Sequence, residues 1–283
     1  GMIGGICNNP EDYASFYHNY KGRRYRHDQV HNLFGYYMTR SASEAFERYV
    51  PEKRILLFSR ASYIGMHRFG GIWQGDNASW WSHLKMNVKM MPSLNMCGFL
   101  YTGADVGGFG ADATEDLVLR WLEFAVFTPL LRNHSARGTR RQEVYRFSHV
   151  EKFADVIGVR YQILPYIYSE YMKAALRNTM MFNPLAFLYG EDALAGQVED
   201  QLFIGENVMV APVCEQNMSG RVVYFPERMK QLIFKNGIVE EGKVYEKGFS
   251  YVEMPMGTVH VFLREGYLFP VAKGGKCVED VDF

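Results

Sequence analysis

Four short apolar runs, each read as a β-strand, lead directly into residues whose side chains can do chemistry. The run at 55–59 leads into Ser59-Arg60-Ala-Ser-Tyr63, and the run at 71–74, which contains Trp73, leads into Gly75-Asp76-Asn77. The run at 97–102 leads into Gly103-Ala-Asp105-Val-Gly-Gly-Phe109, and the run at 128–132 ends in Arg132-Asn133-His134. In a parallel α/β barrel the loops after the carboxyl ends of the strands build the site. Here they offer carboxylates, an arginine, a histidine and aromatic rings at one mouth. A carboxyl group can move protons in the transition state. Rings stack on sugar faces while polar groups fix the hydroxyls.

Each residue also has a plain structural explanation. Asp76 before Asn77 could cap the helix that follows, and Asp105 in a glycine-rich loop could be a turn former. Arg60 could pair with a structural carboxylate, His134 could be a hydrogen-bonded structural histidine, and Trp73 could be core. Only their joint occurrence at consecutive strand ends favours a site.

The elements that must position these residues follow from periodicity. Helices are expected within 28–48, over 79–94, from a start at 112–115 to about 124, and from a start at 148–151 to about 178, the last kinked at Pro165. Trp80, Leu84, Val88 and Met91 share one face of the second. Asp112-Ala-Thr-Glu115 and Ser148-His-Val-Glu151 read as capping boxes for the third and fourth. Strands alternating with helices give an α/β class with parallel strands. Four βα units make half of an eight-stranded barrel. Beyond about residue 181, strand-like runs at 201–204, 208–212, 221–224, 232–234, 251–253 and 260–263 with Gly, Pro and Asn turns indicate an antiparallel β domain. The division is 1–26 as an irregular leading segment, 27–180 as the half barrel and 181–283 as the β-sandwich.

Composition narrows the function classes. With 48% hydrophobic residues and formal net charge +0, the 283-residue chain is globular in composition. Its charge balance gives no electrostatic reason to expect nucleic acid or an anionic membrane. The basic cluster Lys21-Gly-Arg23-Arg24-Tyr-Arg26 reads as a solvated loop. No apolar run is long enough to span a bilayer, and no signal peptide opens the chain. Gly1-Met2 reads as a tag-cleavage remnant followed by a native start. Cys7, Cys97, Cys214 and Cys277 are scattered without pairing or metal-ligand spacing, as expected of free thiols in a reducing cytoplasm.

The segments His31-Asn-Leu-Phe-Gly-Tyr-Tyr-Met38, Phe58-Ser-Arg60-Ala-Ser-Tyr63, Gly71-Ile-Trp-Gln-Gly-Asp76-Asn77, Gly103-Ala-Asp-Val-Gly-Gly-Phe109 and Arg132-Asn-His134 resemble successive motifs of glycoside hydrolase family 31. The likeness runs in the family's order over nearly the whole chain, and is greatest to its bacterial α-glucosidases. It implies a partial (β/α)8 TIM barrel, about the last four βα units, followed by an antiparallel β-sandwich domain. It implies that Asp76 is the general acid/base and that Arg60 and His134 bind hydroxyls of the sugar in the first subsite. Asp105 matches a site carboxylate, and Trp73 and Phe109 match aromatic walls. The substrate implied is an α-linked oligosaccharide or glucoside, with no metal or organic cofactor.

One departure matters. A retaining glycosidase needs two carboxyl groups about 5–5.5 Å apart, one of them the nucleophile. The family's nucleophile is the Asp of a Trp-x-Asp-Met-Asn-Glu motif ending the fourth strand, and no such motif stands in this sequence. Asn8-Asn-Pro-Glu11-Asp12 is no substitute, because no apolar strand precedes it, and Asp105 is a weak one. The expectation is therefore a truncated chain, inactive alone, whose nucleophile comes from a complementing N-terminal half. The alternative is a non-catalytic, self-associating carbohydrate-binding module. Open strand edges and an unfilled interior predict association, such as a homodimer.

Overall fold

The computed structural model describes residues 10–275 and 277–281; the Gly1-Met2 start, Cys7 and Asn8-Asn9 lie outside them. The chain divides between Trp73 and Gln74 into two separately packed units.

The first unit holds helix α1 (Pro10–Ser15), strands β1 (Tyr17–Tyr20) and β2 (Arg23–Arg26), helix α2 (His27–Tyr49) and strands β3 (Phe58–Ser59) and β4 (Gly71–Trp73). The leading segment is therefore not irregular where it is described. β1 and β2 form an antiparallel hairpin with Tyr20 opposite Arg23. Lys21 and Gly22 turn it with φ of 49° and 75°. Two consecutive positive φ values match the right-handed twist of the flanking strands, and the cations that suggested a solvated loop lie along this ribbon. α2 begins where the Gln29 side chain accepts the Arg26 N–H at 2.9 Å. β3 and β4 run parallel, Phe58 beside Gly71.

The second unit begins with α3 (Trp81–Met96), β5 (Thr102–Gly103), α4 (Glu115–Ala125) and α5 (Val150–Arg177). Strands β6 (Phe182–Pro184), β7 (Leu202–Ile204), β8 (Val208–Val210), β9 (Gly220–Phe225), β10 (Met229–Lys235), β11 (Ile238–Tyr245), β12 (Gly248–Glu253) and β13 (Val259–Arg264) follow. The run at 128–132 bends at 128–130 and, among the described residues, forms an isolated parallel bridge, Arg132 to Asp105, rather than a strand. Leu130 N donates to Thr102 O and Val106 N to Arg132 O. These bonds hold the segment without a continuous ladder.

Neither expected capping box forms. α4 starts after Thr114, α5 after His149, and neither residue caps with its side chain. Asp112 accepts the Arg140 N–H instead. Glu115 reaches across to accept the Ser148 and His149 N–H groups at 3.3 and 2.8 Å, so one helix's first residue caps the other helix's start. α5 ends at Asn178, which takes the left-handed conformation that suits a C-cap.

Six strands form an antiparallel sheet in the order β11-β10-β13-β8-β7-β6, and β9 pairs with β12 in a second, two-stranded sheet. Period-two alternation sorts the side chains. Leu202, Ile204, Val208, Val210, Val259 and Val261 join Ile163, Tyr166 and Ile167 of α5 in one core. Phe203, Met209 and Phe262 pack with Val223, Phe225 and Val252 in the other. Each such side chain contributes roughly 1.5–3 kcal/mol of burial. β11, absent from the strands read in sequence, is an exposed edge strand whose Glu240, Glu241 and Lys243 replace the alternation. Charged edges resist pairing with other chains.

Candidate active site

Two of the sequence-predicted site residues lie in the first unit. Arg60 is the exposed residue just past β3, and its guanidinium carbon is 5.8 Å from the Trp73 ring centroid. Trp73 ends β4, half-buried, with the Phe58 ring edge-on to it at 6.1 Å.

The other four lie in the second unit, on three loops that brace one another. Asp76 is exposed on a turn held firmly at both ends. On its amino side Gln74 N donates to Gly103 O at 2.9 Å. The Asn77 amide, buried, donates to Gln74 O and Gly75 O at 3.2 Å. On its carboxyl side Asn77 O accepts from Phe109 N and Gly110 N, Ser79 N donates to Gly110 O, and His83 Nδ1 accepts from Ala78 N at 2.8 Å. The residue flanking α3 is Trp80, four positions beyond Asp76. Asp76 is thus no helix cap, and its carboxylate stands on a rigid crest.

The glycine-rich loop is shaped by close approach. A Cβ on Gly103 would lie 1.9 Å from the Leu130 carbonyl oxygen, and one on Gly108, whose φ is +89°, would lie 2.6 Å from the Ser79 backbone. Only glycine lets the 103–109 loop lie against both neighbours. Asp105 is fully buried and is no mere turn former. Its Oδ1 accepts from Arg132 Nε at 2.5 Å, whereas Oδ2 is buried without a hydrogen bond among the described residues. Burial pushes the Asp105 carboxyl above the usual carboxylate range; Arg132 and, more weakly, His134 oppose this, and Asp76 adds to it.

His134 is exposed and its imidazole lies 5.2 Å from the Phe109 ring, tilted by 31°. The loop-to-loop bracing comes from residues the sequence reading did not single out as site residues. Ala136 N donates to Phe109 O. Arg132 anchors Asp105, and Gln142, beyond all four loops, donates to both the Asp105 and His134 segments. No periodicity marks a buried glutamine within a loop. Among the described residues no group of three or more His, Cys, Asp or Glu could hold a metal ion.

An exposed carboxyl on a rigid turn, with an imidazole and an aromatic ring on adjoining loops, suits proton transfer to a bridging oxygen and hydrogen bonding to hydroxyls. Comparison with known proteins shows the family. The model of the glycosyl hydrolases family 31 TIM-barrel domain matches residues 5–170, and that of the family's C-terminal domain matches residues 178–269. The chain belongs to glycosyl hydrolase family 31. It is 32% identical over 253 residues to alpha-glucosidase 2 of Bacillus thermoamyloliquefaciens, covering 88% of this chain and 31% of that protein. It is 28% identical to human neutral alpha-glucosidase AB, covering 90% and 28%. Among solved structures, a family 31 dextranase from Flavobacterium johnsoniae, complexed with isomaltotriose, superposes with a TM-score of 0.79 at 28% identity, covering 88% of this chain and 32% of the dextranase. The chain therefore spans about a third of the length of these relatives.

Proposed function

We propose that this chain carries the acid/base portion of a retaining α-glucosidase that hydrolyses terminal α-linked glucose. The observation that carries the reading is the exposed Asp76 carboxyl on its rigid turn. Asp76 protonates the glycosidic oxygen as the bond to the anomeric carbon breaks. It then takes a proton from the water that releases the glycosyl intermediate. Arg60 and His134 hold sugar hydroxyls, and Trp73 and Phe109 supply aromatic walls. Residues 27–180 are the last four βα units of a (β/α)8 barrel and 181–283 its β-sandwich.

The nucleophilic carboxylate comes from polypeptide outside these 283 residues, a complementing N-terminal half. The burial and pairing of Asp105 support this, because that carboxylate cannot reach an anomeric carbon. The same observation favours the second reading, a non-catalytic sugar-binding module. Cys97, Cys214 and Cys277 are free thiols, which supports a cytoplasmic setting.

Hydrolysis of a chromogenic aryl α-glucoside, by the chain alone and with the N-terminal half of a relative added, tests the proposal. Turnover with the added half that disappears in Asp76→Asn supports it. Equal turnover in the variant removes Asp76 from its role. No turnover in either mixture, together with glucose binding, leaves the non-catalytic reading.

A further inference from the structure

We infer that Gln142 is the positioning residue that sets His134 against Phe109, and so fixes how the site presents its imidazole to a sugar hydroxyl. The functional part of this statement rests on the reading above; the geometric part does not. Gln142 is 2% exposed. Its Nε2 lies 3.2 Å from Val106 O, 3.0 Å from Gly108 O, 3.4 Å from His134 O and 3.2 Å from Asn133 Oδ1. Asn133 Nδ2 returns a 2.7 Å bond to Gln142 O. One amide thus ties the loop carrying Asp105 and Phe109 to the loop carrying His134.

The chemistry of the position admits few alternatives. Four oxygens face one nitrogen, so the amide cannot be reversed without setting oxygen against oxygen. Glutamate would do the same with a charge. The orientation leaves Gln142 Oε1 buried with no hydrogen bond among the described residues. Such an orphan acceptor costs about 1–3 kcal/mol. A residue serving stability alone gains nothing by leaving that bond unmade. The orphan is the consequence of aiming both donors at the two loops.

The consequence reaches His134 directly. With its own carbonyl and its neighbour Asn133 both held by Gln142, the imidazole is held 5.2 Å from the Phe109 ring centre. Without the amide, the exposed Asn133 and His134, between the tethers at Arg132 and Ala136, lose these bonds, and the ring contact is lost while the buried core stays as it was.

The test is NMR of the whole chain with 13C-labelled histidine and 15N-labelled tryptophan, comparing wild type with Gln142→Met, a side chain of similar length without donors. In wild type the His134 ring protons carry a displacement from the Phe109 ring current. The expected result is loss of that displacement in the variant while the Trp121 indole signal, reporting the buried core, stays in place. Glucose affinity falls about tenfold, the effect of one lost hydrogen bond. An unmoved His134 signal in folded Gln142→Met overturns the inference. Should that variant fail to fold, Asn133→Ala removes the reciprocal partner from the exposed side, and an unmoved His134 signal there overturns it equally. Absence of glucose binding in wild type would count against the glucosidase reading alone, since the histidine signal needs neither sugar nor turnover.

Discussion

Replacing Arg132 with Met leaves the Asp105 carboxylate buried without its cation. Asp105 is fully buried and Arg132 is 30% exposed, with Nε and Oδ1 2.5 Å apart. Removing one partner of a buried ion pair costs about 3–5 kcal/mol. The partial solvation of Arg132 sets the expectation at the lower end, about 3 kcal/mol near neutral pH. The cost depends on pH with a definite sign. Burial already holds the Asp105 carboxyl above its ordinary range against the pull of Arg132, so the variant's folded carboxyl is raised further. For a raised acid, stability is fully present below the unfolded pKa and is lost as pH rises through the folded one. The deficit against wild type should therefore be smallest at the acid end of the folded range and grow as pH rises toward mildly alkaline values. Urea unfolding of both proteins across that range, followed by tryptophan fluorescence with m-values compared, measures it. A loss below about 1 kcal/mol, or one equal at both ends of the range, would refute the reasoning.

A second titration pair sits where α4 meets the antiparallel sheet. Glu123 accepts from Arg120 and from Gly257 N, yet burial raises its carboxyl to about 7. Burial lowers the His260 imidazole to about 4. The first makes stability fall as pH rises from about 4.5 to 7, and the second makes it rise from about 4 to 6.5, so the slopes largely offset. Glu123→Gln should unmask an acid-side loss of about 3 kcal/mol, and His260→Gln a matching loss on the alkaline side; flat urea midpoints in both variants would contradict this. Gly108→Ala should destabilise by at least about 2 kcal/mol, because alanine is strained at φ +89° and its Cβ meets the Ser79 backbone. An unchanged thermal midpoint would show that the loop has room.

Much of this protein was legible in its residues one stretch at a time. Helical periodicity located α3, and the apolar runs at 201–204 and 208–212 read as strands, which the structure buries on both faces. The motif residues Asp76, Asp105, Phe109 and His134 were found because chemistry-bearing side chains after apolar runs are a local pattern. Other features were decided by packing between segments far apart in sequence. Glu115 caps α5 rather than its own helix because residues 148 and 149 pack against it. The hairpin at 17–26 was hidden by polar strands whose only signal was the turn at Lys21-Gly22. Asp105 became a buried, ion-paired anchor, and Gln142 a hub for two loops, only when 105, 132 and 142 came together. Propensity and periodicity act over a few residues and are written in the sequence; which buried donor meets which acceptor depends on the assembled fold, because the cost of an unmade bond arises only once water is excluded.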